Sequence, residues 1–120
     1  MELHEYKGSC HCGAIRFAFR SEKIEAGLRC NCSICLRKGA AMTVFAIDPE
    51  RIDIQAEPGA LAEYQFHTGV AKHYFCARCG IYTFHLTRKK PGWYRANLGC
   101  IEGLDALQLP IKVVENRDWK

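Results

Sequence analysis

Seven of the eight cysteines in this 120-residue chain fall into three short clusters: Cys10-His11-Cys12-Gly13, Cys30-Asn31-Cys32-Ser33-Ile34-Cys35 and Cys76-Ala77-Arg78-Cys79-Gly80. That density has to be explained by disulfides, by metal or by redox chemistry, and compartment is the first discriminator. The stretch from Met1 to Lys7 lacks the apolar core of a secretory signal, and no run approaches the ~18 apolar residues of a membrane span. The expectation is a soluble, cytoplasmic protein whose thiols stay reduced, which makes metal ligation the leading use of the cysteines.

Spacing supports that use. Residues two apart on an extended segment share a face, so Cys10 and Cys12 can bind one metal while His11 points away. Cys76-x-x-Cys79 followed by Gly80 is the signature of a zinc knuckle, in which glycine relieves a tight turn by adopting the left-handed conformation, and Gly13 repeats the device. Two such pairs make a closed tetrahedral site of structural type, assigned to Cys10, Cys12, Cys76 and Cys79. The middle cluster packs Cys30, Cys32 and Cys35 into six residues with no second pair to complete it. Three ligands and an exchangeable fourth position is the arrangement of catalytic zinc. Spacing alone leaves alternatives open: Cys100 or a histidine closing this site, a metal-free redox cluster, or Cys10 and Cys12 pairing with part of it.

Apolar residues at 48% and charged residues at 25% are ordinary for a globular protein, and the length suits one domain spanning 1–120. The formal charge of +4 falls to roughly +1 once seven ligand thiolates and two Zn²⁺ ions are counted. With no basic tail, nucleic acid is not an expected partner. Arg29, Arg37, Lys38, Lys72 and Arg78 lie near ligand candidates, where cations offset anionic centres.

Period-2 alternation predicts strands at Ile15 to Arg20, Met42 to Ile47 and Arg51 to Gln55, the last two as a hairpin. A second hairpin is expected around Thr68-Gly69, joining Tyr64–His67 to Val70–Phe75. Ile81 to Thr87, Trp93 to Leu98 and Ile111 to Glu115 complete a mainly β chain, with short helical stretches only after Cys32 and around Gly59 to Glu63. His67, His73 and His85 sit in predicted strands as structural residues, and the phenylalanines follow core patterns. Trp93 and Tyr94 are candidates for a pocket wall.

Gly8-Ser9-Cys10-His11-Cys12-Gly13-Ala14-Ile15, Cys30 to Cys35 and Tyr74-Phe75-Cys76-Ala77-Arg78-Cys79-Gly80, in this order, resemble the glutathione-dependent formaldehyde-activating enzyme family, which includes the centromere protein V group. The resemblance spans Tyr6 to Gly99. It implies a β-tent of small antiparallel sheets around zinc and the same ligand division, with a structural zinc on Cys10, Cys12, Cys76 and Cys79 and a catalytic zinc on Cys30, Cys32 and Cys35. It also implies a carbon-sulfur lyase-type activity, in which a thiol such as glutathione adds to a small aldehyde to give S-hydroxymethylglutathione. Arg29, Arg37 and Lys38 would then be placed to grip substrate carboxylates. The competing expectation is a non-catalytic zinc-binding interaction module; oligomeric state has no signature in the sequence.

Overall fold

A computed structural model describes residues 2–116; Met1 and 117–120, the ends of the expected 1–120 unit, lie outside the described residues. Among the described residues ten strands form three small sheets, accompanied by one short α-helix. In the first, β2 (Ile15–Ser21) lies between β1 (His4–Ser9) and β5 (Ile52–Ala56), both antiparallel to it. β2 follows its sequence pattern closely: Ile15, Phe17, Phe19 and Ser21 are buried while Arg16 and Arg20 face water. The expected hairpin between Met42–Ile47 and Arg51–Gln55 does not form. β5 instead pairs with β2, setting Ile54 opposite Phe17 and Ile52 opposite Phe19, so that the apolar face of each covers the core. Pro49–Arg51 is a single 3₁₀ turn capped by the Asp48 side chain, and it redirects the chain between the two segments.

The second sheet has the order β10 (Ile111–Val114), β3 (Gly27–Cys30), β4 (Met42–Thr43). β10 and β3 run parallel, a departure from the all-antiparallel expectation that the long connection between them permits. The third sheet, β6 (Leu61–Tyr64), β7 (Lys72–Cys76), β8 (Tyr82–Leu86), β9 (Tyr94–Ala96), is wholly antiparallel. The stretch expected to be helical around Gly59 to Glu63 is a turn, with Gly59 at φ 78°, leading into β6. The β6–β7 hairpin forms, but across residues 65–71 rather than a tight Thr68-Gly69 turn. That wider loop carries Phe66 toward the thiolates of the middle cluster.

Between the first and third sheets, Phe17 and Phe84 meet edge to face at 5.5 Å within a core that includes Ile15, Phe19, Ile47, Ala96, Leu98 and Ile101. The second sheet joins the third through Met42 with Asn97, and the remainder of the Met42–Ile47 segment pairs at Ile47 with Tyr94, amide to carbonyl in both directions at 2.7 and 2.9 Å. β8 is central and covered on both faces: Phe84 looks into the core, while His85 and its cross-strand partner His73 look the other way. No helix among the described residues is long and apolar enough to cross a membrane.

Candidate metal centres and the cavity beside them

None of the eight cysteines is joined in a disulfide. The turn after β1 brings Cys10 and Cys12 to the turn after β7, which carries Cys76 and Cys79, and the four sulfurs lie within 4.8 Å of one another. Cys10 Sγ to Cys12 Sγ and Cys12 Sγ to Cys76 Sγ are each 3.7 Å. A tetrahedron with ~2.3 Å metal–sulfur bonds has edges of about 3.8 Å, so the donor set fits one divalent cation. Gly13 at φ 82° and Gly80 at φ 79° supply the two left-handed turns. Backbone amides aim at the sulfurs: Ile15 N–H donates to Cys10 at 3.3 Å, and Arg78 and Cys79 N–H both donate to Cys76 at 3.4 Å. The thiols separate accordingly. The Cys12 amide helps hold Cys79 down at about 6, whereas Cys12, despite the Ala14 amide, is pushed up to about 11 by burial and its neighbouring sulfurs. Four thiolates at this spacing repel one another, and a bound cation removes that repulsion.

The other cluster is Cys30, Cys32 and Cys35. Cys30 ends β3, and Cys32 is the N-cap of α1 (Ser33–Lys38), whose first turn returns Cys35 to the other two; Gly39, at φ 68°, terminates the helix. Cys30 Sγ accepts from the Cys32 amide and from Asn116 Nδ2, both at 3.4 Å; burial opposes these bonds, yet they keep the Cys30 thiol below its ordinary value. Burial pushes Cys35 to about 12, against the pull of the Lys38 charge. Among the described residues no fourth Cys, His, Asp or Glu joins this group. Cys100 lies instead beside Cys10 and Cys79, where burial raises it to about 11, and the histidines are likewise not in the set.

A cavity of about 150 Å³ opens against the three thiols, its far walls formed by Phe66, His73, His85, Arg95 and Lys38. Behind it, Tyr82 Oη lies 2.6 Å from His73 Nδ1, 2.9 Å from His85 Nδ1 and 3.3 Å from Lys38 Nζ. A β-bulge makes this possible. Tyr74 pairs with Phe84 but Phe75 pairs with Tyr82, so Thr83 is an extra residue and the side chain of Tyr82 reaches the face occupied by His85. Burial, reinforced by the nearby Lys38 charge, lowers His73 to about 4 and His85 well below its ordinary value, so both are neutral at pH 7. Burial also lowers Lys38, and the Cys35 and Cys32 thiolates partly restore it.

Of the cations expected near substrate, Lys38 lines the cavity. Arg29 and Arg37 do not, and Arg37 is turned back to the Ser33 carbonyl at 2.9 Å. Arg78 pairs with Glu57 at 2.6 Å on the surface beside the four-cysteine cluster. Arg88, Lys89 and Arg95 line the cavity although no sequence motif marks them, and Arg95 donates to the Thr43 and Val44 carbonyls. Asn116 and Tyr82 are equally unmarked in the sequence: one arrives through the parallel β10 pairing and the other through the bulge. Trp93 and Tyr94 are not in the cavity wall.

Residues 5–115 match the sequence profile of a family described as glutathione-dependent formaldehyde-activating enzyme. A Halomonas elongata protein, named provisionally as a glutathione-dependent formaldehyde-activating enzyme, is 39% identical over 80 residues, covering 61% of this chain and 50% of the relative. The chain thus spans about half the length of that curated relative. A crystal structure of a Rhodobacter sphaeroides protein superposes with a TM-score of 0.78 at 34% identity, covering 88% of this chain and 99% of that one.

Proposed function

We propose, for a chain that belongs to the glutathione-dependent formaldehyde-activating enzyme family, that it adds a thiol to a small aldehyde in the cavity beside Cys30, Cys32 and Cys35. The observation that carries this reading is the contrast between the two cysteine groups. One offers four sulfurs, whereas the other offers three and faces a cavity lined by Lys38, Arg95 and two neutral histidines. The reaction joins R–SH and H₂C=O as R–S–CH₂OH: the sulfur–carbon bond forms, the carbonyl π bond opens, and the thiol proton ends on oxygen. Run backwards it is a carbon-sulfur lyase step, with glutathione and formaldehyde as the family's implied pair.

Zinc held by Cys30, Cys32 and Cys35 would supply a Lewis-acid position that favours the thiolate or polarises the carbonyl. The remaining contributions come from the chain. Lys38 offsets the negative charge of the three thiolates, and the Cys32 and Asn116 amides stabilise the Cys30 sulfur as an anion. Arg95 in the wall and the exposed Lys89 give the cavity positive charge that attracts the carboxylates of an anionic thiol. A free thiol of pKa ~8.5 is about 3% ionised at pH 7, so complete ionisation gains at most about 30-fold. Larger acceleration has to come from holding sulfur and carbonyl in contact, which orientation can supply at several kcal/mol. Zinc on Cys10, Cys12, Cys76 and Cys79 serves as scaffold, and one cytoplasmic domain over 1–120 is the setting in which both sites work.

The test is Cys32→Ser. Formaldehyde consumption with glutathione should disappear while far-UV circular dichroism is retained and one zinc per chain remains. A variant that still turns over would overturn the assignment of this cluster.

A further inference from the structure

Arg95 on β9 sits opposite His85 on β8, which sits opposite His73 on β7, so the three side chains form one row across the third sheet, and all three line the cavity. The guanidinium carries five N–H hydrogens. Nη1 commits its two to the Thr43 carbonyl at 2.8 Å and the Val44 carbonyl at 2.5 Å, which anchors the group against the end of β4. Nε and Nη2 bond to no protein group among the described residues, and neither is sealed from solvent, since the buried side-chain nitrogen without a partner there is His73 Nε2. The edge that remains presents Nε–H and the adjacent Nη2–H side by side, the pair that matches the two oxygens of a carboxylate. The protein supplies no such carboxylate. Among the described residues no acidic group pairs with Arg95, and neither Asp nor Glu lines the cavity. Burial lowers the Arg95 pKa, and no acidic neighbour opposes that shift. Zinc on Cys30, Cys32 and Cys35 would leave one negative charge, which Lys38 offsets, so Arg95 is a half-buried cation without a counter-ion, an unfavourable state that an anionic ligand relieves.

We infer that the Nε/Nη2 edge of Arg95 binds one carboxylate of the thiol substrate side-on and makes Arg95 the residue that selects acidic thiols. The inference rests on the thiol–aldehyde reading above and deepens it. Of the two reactants in that reading, formaldehyde has no carboxylate, so the thiol carries it. Two parallel N–H···O bonds to a carboxylate fix orientation as well as adding affinity, which a single mobile ammonium does not. The exposed Lys89 draws anions toward the cavity, whereas Arg95 holds one in a set position. Because the Thr43 and Val44 carbonyls already hold Nη1, the fork is in place before the ligand arrives, and little side-chain freedom is lost on binding. A thiol lacking the carboxylate leaves the charge unmatched and its sulfur unaligned, so the discrimination appears in kcat/KM.

The experiment measures kcat/KM of zinc-loaded protein with formaldehyde and three thiols: glutathione and the two glutathione analogues in which one or the other carboxylate is replaced by a primary amide of the same shape. Wild type should use one of the two amides at least about tenfold less well than glutathione. Arg95→Gln should bring the ratio between glutathione and that amide close to one, and Arg95→Lys, which keeps the charge without the fork, should restore only part of it. A merely structural role for Arg95 would depress all three thiols alike and leave the ratio unchanged, which would overturn the inference. Equal use of all three by wild type would overturn the Arg95 assignment and leave the reaction reading standing. Absence of turnover with glutathione would overturn the reaction reading, and this one with it. Should Arg95→Gln fail to fold, the Arg95 Nε–Hε resonance of wild type decides the same question. It must shift on adding S-methylglutathione and not on adding the S-methyl form of the discriminated amide; a resonance unmoved by both would overturn the inference.

Discussion

Replacing both Cys76 and Cys79 by serine should cost far more stability than replacing both Cys30 and Cys35, although each double variant removes two thiols. A metal ion held by the four-sulfur group would clip chain segments far apart in sequence, Cys12 and Cys76 being separated by 64 positions. Treated with the chain-entropy relation for a covalent cross-link, a loop of that length stabilises the folded state by about 4 kcal/mol. Cys30 to Cys35 closes only six residues, for which the same relation gives about 2 kcal/mol. A domain of this size has a total stability of ~5 to 15 kcal/mol, so loss of the first clip consumes much of it. At roughly 4 °C per kcal/mol the zinc-loaded melting point should fall by about 15 °C in the first variant and by about half that in the second. Differential scanning calorimetry, with zinc per chain measured on the same samples, decides the matter. Equal losses, or a Cys76→Ser/Cys79→Ser protein melting within a few degrees of wild type, would refute the long-range clip.

Gly8→Ala would place a methyl 2.5 Å from Phe17 Cζ and 2.9 Å from the Cys100 carbonyl, against a ring locked in the core, and should lower stability by about 1–3 kcal/mol in urea unfolding. Thr43→Val removes a buried hydroxyl that donates to the Phe45 carbonyl at 3.0 Å and accepts from the Ala96 amide at 3.2 Å; a loss of ~1–3 kcal/mol is expected in the same assay. His73 has its folded pKa depressed from 6.5 to about 4, so the unfolded chain binds the proton first as pH falls. Its stabilising effect is therefore complete above pH 6.5 and lost progressively toward pH 4, by at most about 3 kcal/mol. Wild type should lose more stability than His73→Phe across that window when the two are compared at matched zinc content, and parallel curves would contradict the shift.

The sequence is most legible where one residue type in one spacing has a single physical reading. Alternation in Ile15 to Arg20 predicts a half-buried strand, and the glycines after Cys12 and Cys79 predict left-handed turns, because those preferences are local. Partners are harder. Proximity in sequence makes Arg51–Gln55 the expected neighbour of Met42–Ile47, whereas the apolar faces of β5 and β2 match better and Ile47 bonds to Tyr94. β1 and β3 leave no periodic signal: His4–Ser9 carries no buried apolar row, and Gly27–Cys30 is too short for a period to register. The thiols of the candidate site are visible in the sequence, but not its walls. Lys38, Tyr82, His73 and His85 converge through a bulge and a cross-strand pair that only the assembled sheet creates. Arg29 and Arg37, adjacent to ligands in sequence, are not in the cavity wall for different reasons. Arg29 alternates to the exposed side of β3, opposite Leu28 and Cys30, and Arg37 is carried outward by the turn of α1.

The central claim is that one cysteine group is closed and the other open to a thiol. Native mass spectrometry of zinc-replete protein, prepared without oxygen and measured with and without glutathione, tests it most directly. Two zincs per chain and one glutathione adduct, with the adduct and one zinc both lost in Cys32→Ser, is the predicted result. A single zinc with no adduct, or an adduct that persists in Cys32→Ser, would contradict it.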